Sequence, residues 1–377
     1  MALLLELMLI LGGNWDGDAE QGPPPRSGVP SADGYVMPPE WALHQRCFMA
    51  WPCHEGTFGI ATSERRQAAY SAFAEIARAI AIFEPVTMLA NPAQVAEASQ
   101  ICGPGISVTP MVLTDSWTRD IGPTFIINNH GNLAGVDWQF NAWGRNYSDF
   151  SADAVMARRL LSSLKIPRYA APFVMEGGAI HVDGEGTCLA TSSVLLNSNR
   201  NPNLSRQAME KYLRDYIGVE KVVWLPGSLE DDETDGHVDN VACFLAPGVV
   251  AVLDTDDETD GNYEALKANI DYLEKTKDAK GRAFDIIRLL QPPCRIGQNG
   301  RRLALSYINF YFANGGIILP SFDDATDAAA YQKLQRACPD RQIVQVPAQA
   351  IVEGGGGIHC ITQQMPRGID NLLKELS

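Results

Sequence analysis

Apolar positions along this chain alternate between two spacings. Short runs of strand length come first and recur: residues 48–52 (Phe-Met-Ala-Trp-Pro), 85–90, 108–113, the pair within 244–252 around Pro247-Gly248, 304–316 with its closing turn, and 342–346. Between them lie stretches with apolar residues three or four apart. One starts at Ser63 as its expected cap and carries Tyr70, Phe73, Ile76, Ala77 and Ile80. Others cover 92–102, 151–164 (Val155, Met156, Leu160, Leu161), 262–275 (Leu266, Ile270, Leu273) and 325–338. Period two marks strands and period 3.6 marks helices, so the alternation predicts an α/β fold. No low-complexity linker separates Gly34 from Pro366, and one domain over 34–377 is expected. Residues 1–33 read as a flexible leader or a mis-assigned start. Met1 to Leu11 are apolar apart from Glu6, but no Lys or Arg precedes Arg26, so the basic start of a secretion signal is missing. The run is also too short to span a bilayer.

Two stretches repeat each other at long spacing. Val174-Met175-Glu176-Gly177-Gly178-Ala179-Ile180-His181 and Val352-Glu353-Gly354-Gly355-Gly356-Gly357-Ile358-His359-Cys360 share an apolar lead, Glu-Gly-Gly and Ile-His. Such a repeat suggests a pseudo-symmetric fold in which corresponding turns face a common centre. The four glycines of the later copy permit backbone angles that a Cβ forbids and let another group approach closely. A cysteine beside open amides and a positive neighbour is a setting that stabilises a thiolate, which makes Cys360 a candidate nucleophile.

Charge and cysteine usage narrow the possible partners. With 45 acids against 30 bases the net charge is −15, and no dense Lys/Arg cluster offers a face for nucleic acid. An acidic surface raises the local concentration of cationic ligands. The eight cysteines are scattered without a CxxC pair, which argues against a zinc ribbon or dithiol centre and suits reduced thiols in a cytoplasm.

The remaining candidates are acids and one histidine. Trp117-Thr118-Arg119-Asp120 crowds a strand end before Gly122-Pro123, where loops build sites. Gly236-His237-Val238-Asp239-Asn240 follows an acidic loop. If His237 opens a strand, it shares a face with Asp239, whereas on a helix the two would stand about 200° apart. Cys360 with His237 would suit a thiol protease. The carboxylates Asp120, Glu176 and Asp239 fit better around a planar cation, because a guanidinium presents five N–H donors in a rigid fork. A metal site is the other alternative, but no HExxH or comparable cluster occurs.

Five separated motifs occur in one order: Trp117-Thr118-Arg119-Asp120, Glu176-Gly177-Gly178, Asp235-Gly236-His237-Val238-Asp239-Asn240, Ser306-Tyr307-Ile308-Asn309-Phe310-Tyr311, and Gly355-Gly356-Gly357-Ile358-His359-Cys360-Ile361-Thr362-Gln363-Gln364. In these the chain resembles the agmatine deiminases, in the peptidylarginine-deiminase-like branch of the guanidine-modifying (pentein) superfamily, over roughly 34–366. The resemblance implies a fivefold pseudo-symmetric α/β propeller. It also implies hydrolysis of agmatine to N-carbamoylputrescine and ammonia with no metal or organic cofactor. By the same resemblance Cys360 is the nucleophile, His237 the general acid/base, and Glu176 its orienting partner. Asp120 and Asp239 clamp the guanidinium, and Trp117, Gly355 and Gly356 line the substrate. By the same resemblance, members of that family usually carry Asn where Gly357 stands. The alternatives are a deiminase of peptidyl or free arginine, or a non-catalytic polyamine-binding relative. Neither nucleic acid nor membrane is an expected partner, and self-association into a homo-oligomer stays open on the sequence.

Overall fold

Strands and helices alternate as the apolar pattern predicts, but they assort into five small sheets. The computed structural model describes residues 23–58 and 62–368. One unit is repeated four times: an antiparallel hairpin, a helix, and a strand that returns parallel to the hairpin's second strand. The units are Thr124–Asn128 with Leu133–Gln139 and Arg168–Val174, and Ile180–Val182 with Thr187–Thr191 and Lys221–Leu225. The next two are Ala242–Ala246 with Val249–Asp254 and Asp285–Leu290, and Tyr311–Ala313 with Gly316–Ser321 and Gln342–Pro347. The short strand Tyr35–Val36 adds an edge to the first of these. The fifth sheet joins the two parts of the chain: Gln363–Pro366 runs antiparallel to His44–Ala50, with Val86–Ala90 and Ile106–Pro110 parallel beyond it. The result is a five-bladed α/β propeller.

The helix belongs in each unit because parallel neighbours need a crossover and a sheet needs a cover. Helix Ser63–Ala81 buries Phe73, Ile76, Ala77 and Ile80 completely, and helix Tyr263–Lys275 buries Leu266, Ile270 and Leu273. Strand Val86–Ala90 is covered on both faces, which explains why it reads as an apolar run broken only by Thr87.

Each hairpin is entered through a short turn, and the five turns meet at the axis. Gly178 N–H donates to Asp120 Oδ1 at 2.9 Å, and Asn309 Nδ2 donates to the Asp239 carbonyl at 3.3 Å. His359 N–H donates to the Asn309 carbonyl at 3.2 Å, and Arg119 N–H to the Cys360 carbonyl at 3.1 Å. The common centre expected from the repeat is therefore present. The repeated Glu-Gly-Gly is not equivalent in its two places, however. Glu176 is fully buried at the axis, while Glu353 sits half-buried near Arg65 and accepts from Gln349.

Several boundaries differ from expectation. Thr62 rather than Ser63 caps its helix, its hydroxyl accepting from Arg65 N–H. Residues 92–102 and 151–164 each open with a 3₁₀ turn, Pro92–Gln94 and Asp153–Val155, before Val95–Cys102 and Met156–Ser163. The first of these turns starts at a proline, whose fixed φ suits it. The largest difference is at 304–313, where only Tyr311–Ala313 is strand. Residues 305–310 are a buried turn instead. The Ser306 hydroxyl donates to the Asn240 carbonyl and accepts from Ile308 N–H, so the backbone is satisfied without a ladder. Of the leader, residues 1–22 lie outside the described residues. Pro30–Asp33 forms a 3₁₀ turn with Pro30 buried, so packing begins a few residues before Gly34. Among the described residues no helix is long and apolar enough to cross a membrane.

Candidate active site

The axial turns floor a pocket of about 380 Å³ lined by Trp117, Asp120, Trp143, Glu233, Gly355, Gly356 and Cys360 among others. His237, Glu176 and Asp239 lie directly beneath this lining. All eight residues singled out from the sequence thus come to one place.

His237 and Asp239 arrive differently from the strand expectation. His237 precedes a 3₁₀ turn, Val238–Asn240, and the strand starts only at Ala242. Gly236 at φ +110° turns the chain, and His237 N–H is taken by the Thr234 hydroxyl, which removes it from any ladder. The two side chains still converge, because Gly178 leaves the space. A Cβ there would lie 2.6 Å from His237 Nδ1, 2.8 Å from Asp239 Oδ2 and 3.0 Å from Asp120 Oδ1.

Cys360 Sγ accepts from Asn309 Nδ2 at 3.2 Å and from Gly357 N–H at 3.3 Å, with Asp239 Oδ2 at 3.6 Å. The glycine-rich setting is expected to favour a thiolate, but distant carboxylates work against it. Burial, then Asp239 and Asp120, push the Cys360 pKa well above that of a free thiol, outweighing the two donors. The positive neighbour is turned away, since His359 Nδ1 pairs with Asp239 Oδ2 at 2.9 Å.

His237 is fully buried, yet neither ring nitrogen has a hydrogen-bond partner among the described residues. Glu176 Oε2 is 3.6 Å from Nε2 and Asp120 Oδ2 is 3.8 Å from Nδ1, distances of ion pairs rather than hydrogen bonds. Burial pulls the imidazole pKa down, but Asp120, Glu176 and Asp239 outweigh it and raise it to about 9. Glu176 is anchored by Arg200 Nε at 2.9 Å. Burial pushes Glu176 up, while His237 and Arg200 bring it below the usual range.

The two aspartates differ. Asp120 accepts from Gly178 N–H and from Trp143 Nε1 at 2.9 Å, and burial raises its pKa. Asp239 is also pushed up by burial, but His359, His237 and Arg119 hold it below the usual range. Its Oδ1 is buried without a partner. Trp117 is fixed by its indole N–H on Asp115 Oδ2 at 3.1 Å, and its ring fills the space a side chain at Gly356 would need. Among the described residues no cluster of three or more His, Cys, Asp or Glu side chains is arranged to hold a metal ion.

Sequence reasoning passed over Asn309, Arg200, Trp143, Glu40 and His359. Asn309 stood inside a quoted motif, and its amide at the end of an apolar run was a usable signal. Arg200 sits in a turn and Trp143 in the short helix Ala142–Arg145, and their partners in the site, Glu176 and Asp120, are 24 and 23 positions away, so only the fold reveals their roles. Gly357 lies three residues before Cys360. A Cβ there would meet Asn309 Oδ1 at 2.3 Å, so in this chain the Asn309 amide occupies the space.

The comparisons agree with this geometry. The family described as Porphyromonas-type peptidyl-arginine deiminase matches residues 36–366. This chain belongs to that family. It is 45% identical over 361 residues to the agmatine deiminase of Pseudomonas putida, covering 90% of this chain and 97% of that one. Among solved structures, the agmatine deiminase of Enterococcus faecalis superposes with a TM-score of 0.86 at 37% identity, over 90% of this chain and 98% of that one. An amidinotransferase from Microseira wollei, at 14% identity and a TM-score of 0.53, shares the fold.

Proposed function

We infer that the protein hydrolyses agmatine to N-carbamoylputrescine and ammonia through a covalent intermediate on Cys360. One observation carries this reading: a cysteine, a histidine with two unbonded nitrogens and two carboxylates surround one small space above Gly178. A guanidinium in that space supplies the missing donors. Its N–H groups reach the free Asp239 Oδ1 and Asp120 from two edges, and its charge offsets the carboxylates that hold Cys360 as a thiol. Binding thus favours the thiolate beside the guanidinium carbon.

The sulfur adds to that carbon to form a C–S bond and a tetrahedral adduct. His237, protonated below about pH 9, donates to the departing nitrogen, and the C–N bond breaks with release of ammonia. The neutral imidazole then takes a proton from water, whose oxygen attacks the S-alkylthiouronium carbon. The C–S bond breaks as the added hydroxyl gives up its proton, which ends on the released ammonia as ammonium, leaving the neutral ureido group, and the thiolate returns. Glu176, held by Arg200, keeps the imidazole in place throughout.

The pocket also separates agmatine from arginine. Its described lining carries Asp115, Asp120, Asp232, Glu233 and Asp235 against a single cation, Arg301. Arg301 Nη1 is already paired with Glu233 Oε1 at 3.1 Å. Such walls suit the distal ammonium of agmatine and disfavour the α-carboxylate of arginine. Incubation with agmatine, arginine and an arginyl peptide, followed by ammonia measurement, tests this. Faster turnover of either arginine compound overturns the assignment, and no cysteine-dependent ammonia from any of them leaves a polyamine-binding relative. The eight unpaired cysteines fit the reducing cytoplasm, and the charge of −15 fits a small cationic partner rather than nucleic acid.

A further inference from the structure

Beneath the pocket lies a second set of ionisable groups with no place in the reaction above. Glu40, from the segment ahead of the first long strand, is buried against the back of the axial turns. Its Oε1 lies 2.7 Å from His359 Nε2 and 3.2 Å from Arg119 Nη1, and its Oε2 is 3.5 Å from His181 Nε2. The other nitrogen of His359 holds Asp239 Oδ2. The connection therefore runs Glu40–His359–Asp239 and ends at a carboxylate whose Oδ2 lies 3.6 Å from Cys360 Sγ and whose Oδ1 has no partner among the described residues. It draws on residues 319 positions apart in sequence, and every member is buried.

We propose that Glu40 is a positioning residue for substrate binding: through His359 it fixes the rotation and charge of the Asp239 carboxylate beside the space that takes the guanidinium. The proposal rests on the reading that Asp239 grips that group. The groups facing His359 are Glu40, Asp239, Arg119 and His181. Burial and Arg119 disfavour its charged form, while Glu40 and Asp239 outweigh them and raise its pKa. A carboxylate carries one hydrogen-bonded edge and one free edge only if something holds the first, and His359 can hold it only as an N–H donor at Nδ1. With Glu40 accepting at Nε2, the imidazole is a donor at both nitrogens. Without Glu40, His359 loses that partner and half of its opposing charge.

The test compares wild type with Glu40→Gln and Glu40→Asp, each checked for native circular dichroism. Near pH 8 the agmatine KM of Glu40→Gln is expected to rise by about fivefold or more, with kcat changed less. Near pH 6 the lower pH and the remaining Asp239 carboxylate favour the charged form of His359 again, and the KM should return towards wild type. In ¹⁵N-histidine-labelled protein, the imidazole resonance assigned by its loss in His359→Gln should titrate at lower pH in Glu40→Gln. An unchanged KM at both pH values together with an unchanged titration overturns the proposal, as does a KM increase that is equal at both. If Glu40→Gln does not fold, Glu40→Asp decides. Its carboxylate keeps His359 charged but its shorter arm loosens the 2.7 Å contact, so KM rises at both pH values, and a wild-type KM overturns the proposal. Should wild type show no agmatine turnover, the parent reading fails, while the titration still reports whether Glu40 governs His359.

Discussion

Two histidines flank the Cys360 turn, and they are opposite in design. Both are buried and both have a raised pKa. His359 has each nitrogen hydrogen-bonded, to Asp239 and to Glu40. His237 has neither, although three carboxylates surround it. Burying a polar group without a partner costs roughly 1–3 kcal/mol, so the unpaired state of His237 persists because the rest of the fold holds it there. Under the proposed mechanism the contrast separates the imidazole that exchanges a proton with a bound molecule from the one committed to the scaffold. It also explains how one site keeps an aspartate ionised beside a neutral thiol.

Closing the space on the His237 side should have the largest effect. Gly178→Ala places a Cβ against His237, Asp239 and Asp120 at once, and kcat/KM is expected to fall by about a hundredfold or more while the thermal midpoint drops only modestly. Near wild-type kinetics in this variant would show that the substrate space lies elsewhere.

The aspartates come next. Each charge-assisted contact to the guanidinium is worth roughly 1.5–3 kcal/mol, so Asp120→Asn and Asp239→Asn should each lower kcat/KM by about tenfold or more. The double variant should fall short of the product of the two, because both act on one bound ion. Asp256→Asn, in the acidic stretch after the hairpin Ala242–Asp254, serves as the control. Equal damage there would point to long-range attraction by the acidic protein instead of a clamp.

The pH dependence should show a smaller but diagnostic shift. The active form needs protonated His237 with a Cys360 thiolate, one proton fewer than the resting pair. With His237 near 9 and Cys360 higher, kcat/KM should rise with pH up to about 9 and then level. A bound cation lowers both values, so the corresponding limb of kcat should lie at lower pH. Limbs that coincide would mean that substrate charge does not assist the cysteine.

The sequence was informative wherever a local rule governed. Periodicity identified the helices 63–81 and 263–275, because one face of each meets a sheet. The Glu-Gly-Gly repeat pointed to a common axis even though Glu176 and Glu353 occupy unlike places. Local rules failed at 305–310, where side chains of Ser306 and Asn309 replace a ladder, and at His237, which a turn rather than a strand presents. The setting of Cys360 is only half legible in the sequence, because the glycine amides are local and visible, whereas Asp120 and Asp239 come from distant units. Glu40 and Arg200 were illegible for the same reason: their partners, His359 and Glu176, lie far away in sequence or face them only across the fold.

The most direct measurement is the intact mass of protein quenched in acid during agmatine turnover, followed by peptide mapping. The account predicts a population heavier by one agmatine less one ammonia, mapped to Cys360, and absent from Cys360→Ser, which should still bind agmatine but release no ammonia. Sustained ammonia release by Cys360→Ser, or an adduct on another residue, would contradict it.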